Sequence, residues 1–255
     1  MQVCPHCLGT KVIKKGVIVR GKKLGRGKPR FRCNSCKRTF VHNGQNWFVV
    51  KATKNLVDKL LLERISLRGI CRVVDVSVSW LLVYIKNKYA NLPEDLNCRI
   101  KKEQVKRQDK VYVKLIDCQA DEMWSFVAKR KNVKYIWIAL HTATRQVIAF
   151  HVGDRSRESA KKLWEKIPDW LKKMCLFHTD DWDSYKTVLP EESHEYSKQK
   201  KYTNHLERLN NTIRQRVSRL VRETLSFSKR LENHIGALKY FFCHYNLDRQ
   251  LKLNL

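Results

Sequence analysis

The sequence predicts a multidomain chain: an N-terminal zinc ribbon, a helix-turn-helix three-helix domain, and a C-terminal α/β domain of RNase H-like order. Three observations carry this. Two CxxC pairs, Cys4/Cys7 and Cys33/Cys36, bracket a basic hairpin. Three short stretches of helical period follow between positions 55 and 88. From position 111 the texture turns to three strands, helix, strand, strand, helix. A chain of 255 residues has room for about two domains at roughly 100 to 200 residues each. The expected limits are 1–48 for the ribbon, 49–92 for the helical domain, 93–110 for a linker and 111–255 for the α/β domain.

The ribbon rests on ligand chemistry. Each CxxC offers two thiolates two residues apart, and two such pairs furnish the four sulfurs of a tetrahedral structural Zn²⁺. The 25 residues between Cys7 and Cys33 are long for a ribbon, but a basic hairpin fills them. A redox CxxC needs only one pair, in a βα context. His6 lies inside a knuckle and is not counted as a ligand. The first 57 residues contain fourteen Lys and Arg and no Asp or Glu, so this module is electrostatically separate. Its charges are placed to contact phosphate, which sets affinity and salt dependence rather than sequence choice. The other five cysteines, at 71, 98, 118, 175 and 243, lie mostly in apolar stretches and read as small buried hydrophobes. That usage points to a reducing compartment.

In the next segment Leu56, Leu60, Leu61 and Ile65 share one face of a first helix. Helices over 66–74 and 77–87 follow, separated by Asp75-Val76-Ser77, where Ser77 or Asp75 caps the next helix. A tight turn before the last of three helices is the helix-turn-helix pattern. Its recognition helix, 77–88, would present Ser79, Lys86 or Lys88 to DNA; an ordinary helical bundle has the same apolar spacing. The stretch 91–110, with Pro93 and the mixed run KKEQVKRQDK, reads as the linker.

Beyond it, strands are expected over 111–116, 123–128, 135–140 and 146–152, a helix over 156–170 and a strand over 174–179. A weak strand follows at 195–197, with helices over 203–220 and 228–244. The acids are the chemistry of this half. Asp121 follows a strand candidate, Asp180 ends an apolar one, and Glu207 sits in a polar helix. Three carboxylates from separate segments suffice for divalent metal with water and phosphate, as two-metal phosphoryl transfer requires. Glu207 is one of two acids among ten Lys and Arg between positions 198 and 230, and Asn211 and Arg214 share its helical face. An exposed ion pair worth about 0.3 to 0.5 kcal/mol explains Glu207 equally well. Asp181 and Asp183 rival Asp180, and Asp117 rivals Asp121. The tryptophans read as core or core-edge residues, with Trp182 placed to stack on a base. His178 and His205 read as packed or solvated.

Net charge narrows the partner. With 53 Lys and Arg against 24 Asp and Glu, the chain carries +29, which self-repels unless a polyanion neutralises it. Apolar runs such as 135–140 and 81–85 fall short of the ~20 residues of a bilayer span, and the start MQVCPHC lacks a signal-peptide apolar region. A cytoplasmic, nucleoid-associated prokaryotic protein without a membrane partner is expected.

The segments DEMWSFV (121–127), HTDDWDSY (178–185), KKYTNHLERLNNTIRQRVSRL (200–220) and TLSFSKR (224–230) resemble the transposases of the insertion-sequence-one family. So do CPHC with RFRCNSCKRTF and the SLRGICRVVDVS stretch. The likeness covers nearly the whole chain in one order. It implies a DDE catalytic domain, catalytic Asp121, Asp180 and Glu207 holding Mg²⁺ or Mn²⁺, and Arg214 as the basic residue on the Glu207 face. Where the family pattern has Asp-Gly-Trp, this chain has Asp180-Asp181-Trp182. The implied activity is binding of terminal inverted repeats in double-stranded DNA, then cleavage and transfer to target DNA. Holding two ends requires a homodimer or larger assembly. A non-catalytic DNA-binding regulator and an RNase H-like nuclease without strand joining are the other classes compatible with these residues.

Overall fold

The computed structural model describes residues 2–18, 28–41, 49–101, 104–107, 110–113, 115–180, 182–196, 204–220 and 226–254. It divides into two compact units, Met1–Lys54 and Asn55–Leu255. Residues 19–27 of the stretch between the two CxxC pairs lie outside the described residues, as do Asp181, 200–203 and 224–225 of the resembling segments.

In the first unit, β1 (Val12–Ile18), β2 (Lys28–Cys33) and β3 (Thr39–Val41) form an antiparallel sheet in that order. The sequence suggested two strands; β3 is the third, folding back after the second knuckle. A register shift between Lys14 and Val17 sits at Gly16, whose φ of +79° suits glycine. The core is small: Cys4, Cys33 and Phe40, with Phe31 stacked on Phe40 at 5.9 Å between ring centres. So little apolar area cannot hold a fold of this size by itself, which places the stabilising burden on the four sulfurs.

The second unit opens within the first of three helices, α1 (Lys51–Leu60), followed by α2 (Leu67–Val74) and α3 (Val78–Ala90). Ser66 and Ser77 cap α2 and α3 through their hydroxyls, and Asp75 ends α2 in the left-handed region at φ 50°. Asp75 therefore terminates one helix and Ser77 starts the next. Val57, Ile70, Cys71, Leu81 and Ile85 make the core, whereas Leu56, expected inside, is exposed. Val57 takes the inward position because it stands three and four residues before Leu60 and Leu61, which pack against the same core. Lys88 is committed internally, 2.7 Å from Asp58, and Tyr84 donates to the same carboxylate at 2.9 Å. Ser79 and Lys86 remain exposed.

The expected linker is structured at both ends. Leu96 is buried in the α/β core, and the Arg99 N–H and C=O both bond the buried Gln146 side chain. Further on, β4 (Gln104–Arg107) pairs with β5 (Lys110–Val113).

A five-stranded sheet follows, built from β6 (Ile116–Phe126), β7 (Val133–His141), β8 (Val147–Gly153), β9 (Cys175–Thr179) and β10 (His194–Tyr196). Its spatial order is β10-β9-β6-β7-β8; β6, β7 and β8 are antiparallel neighbours, and β9 runs parallel to both β6 and β10. Of the two strands expected over 111–116 and 123–128, the first falls mostly on β5, with only Ile116 in β6, and the second is the end of the eleven-residue β6, which begins seven residues earlier. Its acids obscure the apolar pattern, but pairing on both sides satisfies its backbone.

Two cores lie on opposite faces. Helices α4 (Arg157–Lys166), α5 (Asp169–Lys172) and α6 (Asp183–Lys186) cover the face of Cys118, Ala120, Trp137 and Phe177. Helices α7 (Asn204–Arg216) and α8 (Leu231–Leu253) cover that of Met123, Ile136, Ile138 and Leu140. The single helix expected over 156–170 is two, because Pro168 forbids the helical conformation at Ile167. On α8, the fully buried Asn246 accepts from the Val147 N–H at 2.7 Å and donates to the Leu96 and Val147 carbonyls, both at 2.9 Å. The three-helix part packs on the same helix: Tyr240 donates to the Asp58 carbonyl at 3.0 Å, and Tyr89 lies over Gly236. No helix among the described residues is long and apolar enough to cross a membrane.

Candidate active site and metal centre

The sulfurs of Cys4, Cys7, Cys33 and Cys36 all lie within 4.8 Å of one another. Cys4 and Cys36 are 3.7 Å apart, and Cys7 and Cys33 3.6 Å. A tetrahedral ion with Zn–S bonds of about 2.3 Å requires sulfurs about 3.8 Å apart, so the set fits zinc. The two knuckles repeat one backbone pattern. Cys4 N–H donates to Gly9 and Cys33 N–H to Arg38, both at 2.9 Å, and Leu8 and Lys37, each just past the second cysteine, have φ of 60° and 61°. The backbone N–H of Cys36 is the main influence holding the Cys33 thiol down, while the neighbouring thiols push its partner Cys7 up, so without metal the set favours a single thiolate on Cys33.

The carboxylate site is set by strand register. Gln119 of β6 pairs with His178 of β9 in parallel, so two residues further Asp121 stands beside Asp180. Alternation puts Asp121 on the α7 face and Glu122 on the opposite, α6 face. Because β9 ends at Thr179, nothing separates the faces at that point, and carboxylate oxygens of Asp121, Glu122 and Asp180 come within 4.8 Å of one another. Asp121 is thus mid-strand, not after a strand as its sequence context suggested; it is β9 that ends there.

Each face holds its acid. Asn210 on α7 donates to Asp121 Oδ2 at 3.3 Å. Glu122 is gripped from both sides: Arg155 at 2.8 Å from Oε1, and the buried Tyr185 hydroxyl donating to Oε2 at 3.1 Å. The Arg155 guanidinium also lies 4.1 Å from the centre of the Trp182 ring, so Trp182 meets a cation here. Burial, reinforced by Asp180 and Glu207, pushes the Asp121 carboxyl up to about 6. Burial and the Asp121 charge push Glu122 to about 7 against the pull of Arg155. Carboxylates crowded in this way gain from a divalent cation, and the donor set, hard oxygens around one point, suits Mg²⁺ or Mn²⁺.

The other expected residues sort by position. Glu207 is exposed on α7, three residues before Asn210, and it raises the Asp121 carboxyl without joining the cluster. Arg214 lies one further turn along, half-buried. Asp117 is outside the cluster, 3.4 Å from His178, which in turn lies 3.3 Å from Glu195. Glu122, Arg155, Tyr185 and Asn210 were not singled out from the sequence. For Glu122 the signal was its adjacency to Asp121, which strand alternation argued against.

Residues 114–246 match the family model described as IS1 transposase. The chain belongs to the IS1 transposase family. Among curated members, the InsB protein of insertion element iso-IS1n from Shigella dysenteriae is 34% identical over 117 residues, 46% of this chain and 86% of that protein. The IS1 InsB protein of Shigella flexneri is 30% identical over 127 residues, covering 50% of this chain and 94% of its own length. An InsB protein of Escherichia coli K12 is 29% identical over 127 residues, 50% and 74% respectively. The IS1 transposase match encloses β6, β9 and α7, and with them every residue of the carboxylate site.

Proposed function

We propose that this chain is a DNA transposase that binds the terminal inverted repeats of its element and performs divalent-metal-dependent cleavage and strand transfer. The observation that carries the reading is the β6–β9 register, which sets Asp121 beside Asp180 at the end of β9 and under α7. The sheet order, with β6 central, antiparallel to β7 and parallel to β9, supports an RNase H-like assignment.

In this reading Asp121 and Asp180 supply the fixed oxygens and Glu207 completes the set from α7. Mg²⁺ or Mn²⁺ held by these carboxylates would activate the attacking water or the DNA 3′-hydroxyl and stabilise the leaving 3′ oxygen. Asn210 orients Asp121, while Arg155 and Tyr185 keep Glu122 from turning away from its neighbours. Arg214, on the Glu207 flank, neutralises the phosphate that enters. The ribbon at 1–48 takes structural zinc on its four cysteines and, with the helix-turn-helix domain at 49–92, binds DNA ends; 93–110 joins them to the catalytic domain at 111–255. Two ends brought together imply a homodimer or larger assembly on DNA.

The test is a joining assay with a labelled element-end duplex, a plasmid target and Mg²⁺ or Mn²⁺. Strand transfer by the wild type, lost in Asp121→Asn, Asp180→Asn and Glu207→Gln while end binding persists, is the expected result. Specific binding without cleavage by the wild type would instead identify a regulator, and cleavage without joining a nuclease.

A further inference from the structure

Helix α7 has two flanks. Leu206, Leu209, Asn210 and Ile213 are its buried stripe; at about 100° per residue Glu207 and Arg214 lie on one side of that stripe, and His205 and Arg208 on the other. The second flank faces the β7–β8 hairpin. There Arg145 donates to His205 Nδ1 at 2.7 Å, since a guanidinium has donors only. Arg249, near the end of α8, donates through Nε to the carbonyl of the neighbouring Thr144 at 3.0 Å. Arg145 and Arg249 therefore meet beside Thr144, and Arg208, exposed three residues after His205 on α7, is near enough for its charge to act on both Arg145 and His205.

Among the described residues, none of Arg145, Arg208 and Arg249 stands in an ion pair. Burial and then the charges of Arg249 and Arg208 hold the Arg145 guanidinium below its usual value, the mark of like charges crowded together. Positive charge assembled at this density without a countercharge is stabilised by an anion, and fork-shaped guanidiniums match phosphate oxygens.

We infer that Arg145, Arg208 and Arg249 form a binding site for the phosphodiester backbone of duplex DNA, on the side of α7 away from the carboxylates. A helix with its side chains is about 10 to 12 Å across, so DNA held here lies about one helix width from the site where strands are cut. The inference rests on the transposase reading for the identity of the polyanion. The site gives it a second hold on the duplex, independent of the ribbon.

The experiment is fluorescence anisotropy of a random-sequence duplex with the full-length, zinc-loaded protein across a salt series. Each phosphate contact contributes about 0.9 to the slope of log K against log salt. Arg208→Gln, an exposed position that leaves the fold untouched, is expected to lower the slope by about 1, and the triple Gln variant by roughly 3. Arg145→Lys should retain most of the slope, and Arg130→Gln, exposed on another hairpin, should change it much less than Arg208→Gln. A triple variant with wild-type slope and affinity overturns the inference, as does an Arg130→Gln effect equal to that of Arg208→Gln. Failure of strand transfer with intact slope effects would sink the catalytic reading and leave this site standing.

Discussion

Replacing Asp121 by Asn should stabilise the metal-free protein while abolishing its chemistry. The Asp121 carboxyl ionises near 6 in the folded chain rather than near 3.8. A raised carboxylate pKa means the folded state binds the proton more tightly, so stability falls as pH rises from about 3.8 to about 6 and stays lower above that. A shift of about two units corresponds to about 3 kcal/mol. Asn is isosteric and still accepts the Asn210 hydrogen bond, so the variant should recover most of this at pH 8 and none near pH 3.5. For a domain of this size 1 kcal/mol moves Tm by about 2 to 4 °C, giving a gain of roughly 6 to 12 °C. Tryptophan fluorescence is a suitable probe, because Trp124, Trp137, Trp164, Trp170 and Trp182 all lie in the α/β part. Adding Mg²⁺ should raise the wild-type Tm and narrow the gap, since the cation relieves the same repulsion. A variant no more stable than wild type at pH 8, or a gain that persists at pH 3.5, would refute the idea that the site holds an Asp121 carboxylate destabilised by burial and by its neighbours' charges.

Cys33→Ser should release zinc and abolish DNA-end binding, because the small ribbon core folds around its sulfurs; zinc content and gel shift read both. Lys37→Gly removes a non-glycine residue from φ 61°, and should slow zinc loss to a chelator, the left-handed conformation costing about 1 to 2 kcal/mol for a side-chain-bearing residue. Gly236→Ala would put a Cβ 2.2 Å from Tyr89 Cδ2; overpacking of about 1 to 3 kcal/mol should lower Tm, and the added substitution Tyr89→Leu should restore it.

The four-cysteine cluster was legible because its code is local: a cysteine spacing and a run without acids. So were the starts of α2 and α3, at 66–67 and 77–78, with Ser77 legible as the cap of α3 and Asp75 as a turn residue. Strand β6 was not, because a central strand paired on both sides tolerates Asp117, Asp121 and Glu122 where an edge strand's alternation would not. The carboxylate site was half legible. Asp121 and Asp180 stand out as acids near apolar strands, but what unites them is a parallel register between segments about 60 residues apart, which no local pattern encodes. Glu122 was hidden by the alternation rule itself, which holds within a sheet and lapses where a neighbouring strand stops. The Arg145–His205 contact likewise joins a hairpin turn to a helix and leaves no trace in spacing.

The parallel pairing of β6 and β9 has a further consequence for how activity is acquired. Side chains on a strand alternate, so a one-residue slip of β9 would carry Asp180 to the opposite face while leaving most backbone bonds of the sheet remakeable. Long-range parallel pairing is also among the slower events in folding. A preparation could then contain molecules of full length and normal helical content that never cut DNA. The specific activity of this protein would report the fidelity of one strand's docking, and its history of refolding would matter as much as its purity.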